Sequence, residues 1–524
     1  MPEWFEKFYP ILILLVVVTL LINRLPKIDL GHSSAFRRRR VLNWLPLGLT
    51  YAFLYMGRYN LTVSKSALGG MPLSDGSGAL MGNEEFGWIF MVGTIVYGCA
   101  FVINGPLTDR IGGRKAILLG AAGSAVANIL MGVVCMFVLE GKGERFDWIA
   151  PRLTVIFSVL YALNMYFQSF GAVAIVKVNA SWFHVRERGV FGGIFGILIS
   201  LGVYFAFDWG AMIVNAGHPE DGSPFDYPGL VWAYFTPAIL LGVFWVLDVL
   251  FVRDTPAQAG LDDFDTADAS SGDEGERLPA KRIFALMLRN PIIMTIAAVE
   301  FCSGFLRQAI MQWYRAFAKQ TDGALGLKSE FVYENWGMLL CIAGITGGVM
   351  AGIISDRVFH SRRGPVAALL YGIMLVSAVV LCFVYQTPIV GWLVVFMSMA
   401  VIGVHGMLSG TASMDFGGRK NVGTAVGIID GFVYLGTGLM SFTYGMILPR
   451  EQFEAVTDPQ TGAVVLDPIT GEAKQVLVGP VTDPDNWLNW PLAMVPVAAI
   501  GLFFAWKIWH AQTDAMQKHH AGKA

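Results

Sequence analysis

Uncharged stretches of about 20 residues, the length that spans a bilayer as a helix, recur twelve times along this chain. They start near Val41, Glu85, Ala116, Leu153, Val190, Gly229, Pro291, Tyr333, Pro365, Ile389, Val422 and Asn489. A water-soluble chain of 524 residues has no interior large enough to hide 55% hydrophobic residues beside only 15% charged ones, so lipid must be the solvent. The expected fold is an all-α membrane protein. A formal net charge of -2, with its charges bunched between apolar runs, gives no nucleic-acid footprint. Cys99, Cys135, Cys302, Cys341 and Cys382 all fall inside apolar runs without metal spacing and read as small packing residues. The histidines are scattered, with His519 and His520 in a polar tail, and no metal or cofactor is expected.

A further apolar run from Phe8 to Ile22 precedes these spans. Its leading segment carries two glutamates against one lysine, and no small-residue cleavage site follows, so it reads as a retained extra helix, spanning or lying in the interface. If it spans, the N-terminus faces outward. The expected organisation is this extra helix with a basic linker over 1–40, a six-helix bundle over 41–252, and a cytoplasmic linker over 253–290. A second six-helix bundle over 291–510 and a tail over 511–524 complete it. Arg37–Arg40, Arg110/Arg114/Lys115, Lys177/Arg186/Arg188, Arg253 to Arg289, Arg357/Arg362/Arg363, Arg419/Lys420 and the tail from Lys507 all fall on one side. The positive-inside rule makes that side cytoplasmic, with the C-terminus on it and the plasma (inner) membrane as the location. The opposite loops are poorer in Lys and Arg, and one of them, from about Arg450 to Trp487, reads as an exposed hairpin around Asp467–Glu472.

The two bundles repeat one another. Arg58 lies about 50 residues before Asp109, and Arg307 about 50 before Asp356, each arginine well inside its span. Such a repeat implies pseudo-two-fold related bundles with a binding site at their interface. An arginine at the centre of a spanning helix costs at least about 2.5 to 3.5 kcal/mol on insertion scales, so a matched pair needs compensation. Two guanidinium forks facing one cavity suit a tetrahedral dianion. Glu300, two turns before Arg307 on the same helix, offers the competing explanation of an internal ion pair.

After the second span the chain reads Gly105-Pro-Leu-Thr-Asp109-Arg110-Ile-Gly-Gly-Arg114, and after the eighth Gly352-Ile-Ile-Ser-Asp356-Arg357. This repeated loop resembles the hallmark of the major facilitator superfamily, in which it gates conformations. Tyr51-x3-Tyr55-x2-Arg58, Leu306-Arg307-x5-Trp313, Ser355-Asp-Arg-Val-Phe, Trp182-Phe-His-Val-Arg-Glu-Arg-Gly189 and Gly423-Thr-Ala-Val-Gly427 with Tyr434 resemble the organophosphate:phosphate antiporter family within it. The resemblance covers most of residues 41 to 510. It implies that Arg58 and Arg307 hold a phosphate moiety, that Tyr51, Tyr55 and Tyr434 line the pocket, and that Gln168 matches a family glutamine.

There are departures from that pattern. Phe101, Ile199 and Gln312 stand where the glycerol-phosphate branch has a lysine, a histidine and an aspartate. Glu300, Asp208 and Asp430 are acidic residues within spans and should face protein or water, as proton carriers or as ion-pair and helix-end partners; His405 reads as a hydrogen-bonded packing residue. Gly423/Gly427/Gly431 and Gly192/Gly196, spaced by four, offer faces for close helix approach. Trp88, Trp313, Trp487 and Trp490 read as interfacial aromatics.

The expected activity is exchange of an organophosphate, a sugar phosphate or glycerol phosphate, for inorganic phosphate by a monomeric carrier. The rivals are proton-coupled symport of another organic anion such as a sugar acid, through Glu300 or Asp430, and a non-transporting sensor of sugar phosphates. A membrane enzyme is disfavoured, because no nucleophile–base pair is legible in the spans.

Overall fold

The computed structural model describes Val16 and residues 32–73, 78–184, 188–218, 223–264, 266, 280–359, 362–458, 461–469, 471 and 473–509. The expected extra helix lies outside the described residues apart from Val16, as do residues 265 and 267–279 of the linker and the whole tail.

Among the described residues, twelve long helices build the molecule. They are α1 (Ser34–Leu68), α2 (Asn83–Ile111), α3 (Gly113–Val138), α4 (Leu153–Asn179), α5 (Arg188–Tyr204), α6 (Pro228–Phe251), α7 (Pro291–Gln320), α8 (Trp336–Arg357), α9 (Arg363–Val384), α10 (Ile389–His405), α11 (Ser413–Ile447) and α12 (Asn489–Lys507). Eleven have the length and hydropathy of membrane spans. The other, α1, devotes part of its length to Arg58, Asn60 and Lys65, all of them buried.

Helix starts follow local chemistry. Ser33 caps α1, its hydroxyl accepting from Phe36 N at 3.1 Å. The helix therefore begins at Ser34 rather than near Val41, and Arg37–Arg40 ride in its first turns rather than in a linker. There Arg39 donates to the Phe251 carbonyl (2.7 Å) and Arg40 to that of Trp182 (3.4 Å). Asn290 caps α7 by accepting from Ile292 N and Ile293 N, with Pro291 at the first helical position. Helix α5 passes through a π-helical turn, Phe205–Trp209, and α10 through another, Gly406–Ala412.

Helices α1–α6 and α7–α12 form two six-helix bundles related by a pseudo-two-fold axis, which exchanges the two main seams between them, α2 with α11 and α5 with α8. The α2–α11 seam is glycine-dependent. A Cβ on Gly98 would stand 2.9 Å from the Gly431 carbonyl oxygen, and one on Gly427 2.5 Å from that of Phe101. The spacing read on α11 thus serves close approach at Gly427 and Gly431. On α5 the expectation fails at Gly196, where an added Cβ would meet open space.

The loop after α11 is a hairpin, as expected, but its regular pairing lies outside the turn residues. Strand β1 (Gln452–Ala455) pairs antiparallel with β2 (Gln475–Val478), Gln452 opposite Val478, while bridges at Thr457–Val464 and Leu466–Ala473 fold the tip. The tip reaches the other bundle, where Ser223 Oγ donates to Asp467 (3.0 Å). This insertion also corrects the reading of the tryptophans. Trp88 is exposed, but Trp313, Trp487 and Trp490 are fully buried. Trp487 and Trp490 donate to the carbonyls of Val481 and Ala309, both at 3.0 Å, and Trp313 packs edge-on against Phe86 of α2.

Candidate anion site between the two bundles

Arg58 is 1% exposed and every nitrogen of its guanidinium is engaged. Nε donates to Gln168 Oε1 (2.9 Å), Nη1 to the Tyr434 hydroxyl (2.8 Å) and Nη2 to the Tyr97 hydroxyl. The rings of Tyr55 and Tyr97 lie 4.6 and 4.5 Å from its central carbon. Gln168 is held in turn, donating to Asn164 (3.1 Å) and Ser124 (3.3 Å). Asn164 donates to the Gly57 carbonyl (2.8 Å), and Asn60 to Asn128 (2.6 Å), whose own amide donates to the Ser124 carbonyl (2.8 Å). The arginine is thus fixed through a polar ladder on α1, α3 and α4. Tyr434 alone comes from the other bundle.

Arg307 is 6% exposed, yet its Nε and Nη2 have no hydrogen-bond partner. Tyr434, Tyr59, Tyr55 and Glu300 lie within electrostatic reach of it, and the same three tyrosines surround Arg58. One tyrosine cluster is therefore shared by the two cations. Glu300 does not lock Arg307 in an ion pair. It is fully buried, with Oε2 2.8 Å from His405 Nδ1, while Oε1 has no hydrogen-bond partner. Buried donors left unsatisfied are costly, and such a group in a native fold points to a ligand or a switch.

The structure brings Tyr55, Tyr434 and Gln168 into contact with Arg58. Tyr51 is buried one turn before Tyr55, its ring edge-on to it at 5.3 Å. Asp430 accepts from Ser409 and sits one turn from Tyr434. Asp208 takes the helix-end role, accepting from Gly337 N (2.6 Å) and Met338 N (2.8 Å) at the start of α8 in the other bundle. Sequence reasoning missed Tyr97, Tyr59, Gln308 and the asparagine ladder; the signal available was amide side chains inside otherwise apolar runs.

Between this cage and the hairpin, the bundles are zipped together. Gln308 donates to Tyr59 (2.8 Å), Thr62 donates to Gln312, and Lys319 reaches the Ser66 carbonyl. Beyond them Lys65 pairs with Glu451 at 3.8 Å, both buried. Glu451 also accepts from Asn83 N (2.8 Å) and Gln320 (2.6 Å) at the root of the hairpin.

On the linker side the two motif copies differ. Asp109 pairs with Lys177 (2.7 Å) and accepts from Thr424 N (3.3 Å) across the seam, rather than pairing with the basic residues of its own loop. Gly105 lies against Gly427, Arg110 is exposed, and Arg114 donates to the Val249 carbonyl (2.6 Å), its backbone N–H to Asp254 (2.8 Å). In the second copy Gly352 faces open space, Arg357 is exposed, and the side chain of Asp356 lies outside those described.

Two helical bundles enclosing a charged, lipid-shielded cage define a multi-pass membrane transporter. The family model described as Major Facilitator Superfamily matches residues 33–441, and the chain belongs to that superfamily. A Glycerol-3-phosphate transporter of Bacillus subtilis (strain 168) is 26% identical over 429 residues, 78% of this chain and 86% of that one. Membrane sensor protein UhpC of Escherichia coli (strain K12) is 24% identical, covering 80% and 88%. A Probable hexose phosphate transport protein of Chlamydia muridarum is 21% identical over 93% and 94%. These relatives support the organophosphate:phosphate antiporter branch. The fold is shared with a solved bacterial homolog of the lysosomal transporter Spinster (TM-score 0.62, 13% identity, covering 91% of this chain and 98% of that one) and with a D-xylose-proton symporter (0.57, 14%, 89% and 97%).

Proposed function

We propose that this transporter exchanges an organophosphate, a sugar phosphate or glycerol phosphate, for inorganic phosphate, using Arg58 and Arg307 as a two-pronged anion clamp. The observation that carries the reading is the buried Arg307 with Nε and Nη2 unspent, beside tyrosines it shares with Arg58. A phosphate between the forks supplies the missing acceptors and bridges the two cations. A loaded carrier then closes readily and an empty one does not, which couples the two fluxes without covalent chemistry. Tyr51, Tyr55, Tyr434 and Gln168 line or orient the clamp. Gly105, Asp109, Arg110, Arg114, Gly352, Asp356 and Arg357 serve the conformational change.

By the positive-inside rule the hairpin side is extracellular and the linker and C-terminus are cytoplasmic; the plasma (inner) membrane is the location proposed with this reading. The carrier acts as a monomer. The names of the relatives, which include glycerol-3-phosphate and hexose phosphate transporters, agree with this cargo class.

The test is counterflow. Proteoliposomes loaded with phosphate should accumulate labelled organophosphate without a pH gradient, and unloaded vesicles should not. Uptake indifferent to internal phosphate would refute exchange. A second reading, a non-transporting sensor, is favoured by the relative of that name; phosphate binding without flux would establish it.

A further inference from the structure

Beside the arginine cage, the second bundle buries a second ionisable site. Glu300 on α7 is fully buried, one carboxylate oxygen on His405 of α10 at 2.8 Å and the other unpartnered. Asp430 on α11, also buried, accepts from Ser409 in the π-helical turn after α10. Charged and titratable groups on five helices face this pair of acids. Arg307 lies two turns along from Glu300 on α7, and His405 approaches from α10. Tyr371 on α9 approaches Glu300, its hydroxyl donating to the Val299 carbonyl at 2.6 Å. Tyr97 of α2 and Arg58 of α1 face Asp430, which itself comes from α11.

With both carboxylates ionised and His405 neutral, Glu300 and Asp430 balance Arg58 and Arg307. A doubly charged phosphate entering the clamp leaves the buried set two charges negative, away from water and screening salt, where uncompensated charge is most expensive. The mobile positive charge available there is the proton. The open oxygen of Glu300 and the imidazole of His405 are where it can land.

We propose that Glu300 and His405, with Asp430 beside them, form a proton-binding site linked to the anion clamp, so that loading a dianion draws a proton from solvent onto the pair and unloading returns it. The proposal rests on the clamp reading of Arg58 and Arg307. Linkage is reciprocal, so anion affinity falls as pH rises past the point where the loaded pair releases its proton. Cargo and proton then move together.

The experiment is calorimetry on the purified full chain in nanodiscs, titrated with inorganic phosphate and with sulfate, a dianion that does not itself titrate near neutrality. Running it near neutral pH in buffers of different ionisation enthalpy gives the proton count. Wild type should take up about one proton per sulfate bound, from the linkage argument. Glu300→Gln should reduce that uptake at least about twofold, and His405→Gln and Asp430→Asn should reduce it less. Anion binding with no proton uptake, or with uptake unchanged in Glu300→Gln, overturns the linkage and leaves the clamp standing. If neither anion nor any organophosphate binds, the clamp reading fails instead. Infrared spectra against pH then decide the pair alone: a carboxylic-acid C=O band that appears on acidification and is missing from Glu300→Gln supports it, and its absence in wild type overturns it.

Discussion

The two membrane-buried arginines hold equivalent places in the repeat and live in opposite circumstances. Arg58 is hydrogen-bonded at each guanidinium nitrogen, backed by Gln168 and a ladder of Asn164, Ser124, Asn128 and Asn60. Arg307 keeps two nitrogens free, with an acidic pair two turns away in place of a polar scaffold. In the clamp proposed for this pair, a symmetric fold holds one prong rigid and leaves two nitrogens of the other without acceptors. Preorganising one group lowers the ordering cost of binding, while leaving the other unsatisfied gives the guest something to complete.

The largest expected effect comes from the prongs themselves. Arg307→Lys and Arg58→Lys keep a charge but lose the planar fork, and each should lower phosphate counterflow by about 100-fold, roughly 2.7 kcal/mol, with membrane insertion unchanged. Uptake at the wild-type rate in either variant would end the clamp.

Next comes the scaffold. Gln168→Leu removes the acceptor for Arg58 Nε from a buried site and should weaken phosphate binding by about 10-fold, in line with the ~1–3 kcal/mol cost of an orphaned buried donor. Gln308→Leu, which touches Tyr59 rather than an arginine, should cost less. Thermal shift against phosphate reads both, and equal losses would erase the distinction between a fixed and a free prong.

Smaller again is the pair of phenols on Arg58. Tyr97→Phe and Tyr434→Phe each remove one of the three hydrogen bonds on Arg58, about 1 kcal/mol net or roughly 5-fold in affinity. Because Tyr434 crosses between bundles while Tyr97 does not, only Tyr434→Phe should also speed exchange at saturating cargo. Identical kinetic profiles would mean that the cross-bundle bond has no part in closure.

Smallest in flux, though visible in conformation, is Lys65→Met, which leaves Glu451 without its cation at the hairpin root. Thiol labelling of a Thr62→Cys reporter from the hairpin side, with Cys99 replaced, should rise by about 5-fold as a bias of ~1 kcal/mol is lifted. Unchanged labelling would show that the seal holds without that pair.

Charge in hydrocarbon is what made the sequence legible. Arg58, Arg307, Glu300 and Asp430 stand out because each is expensive where it lies, and the apolar runs between them located the twelve helices. Tyr97 and Tyr59 carry no such signature, since a tyrosine in a span reads equally as packing until its partner is known. Trp313, Trp487 and Trp490 were misread for a related reason. They lie near helix ends, where aromatics usually meet the interface, but the hairpin root and the helices around them cover that region and bury them. The start of α1 was misplaced because four successive arginines looked like a loop, whereas the hydroxyl of Ser33 and the carbonyls of Phe251 and Trp182 tie them into helix.

The glycine seam has a mechanical corollary. Helices α2 and α11 touch almost backbone to backbone from Gly87 against Gly445, through Gly98 and Gly431, to Asp109 and Thr424. Surfaces that close roll on one another more easily than they separate, so in the proposed exchange cycle this line would serve as a fulcrum about which the bundles swing. Spin labels placed across the fulcrum should report one distance whether cargo is present or not, and labels across α1 and α7 should report two.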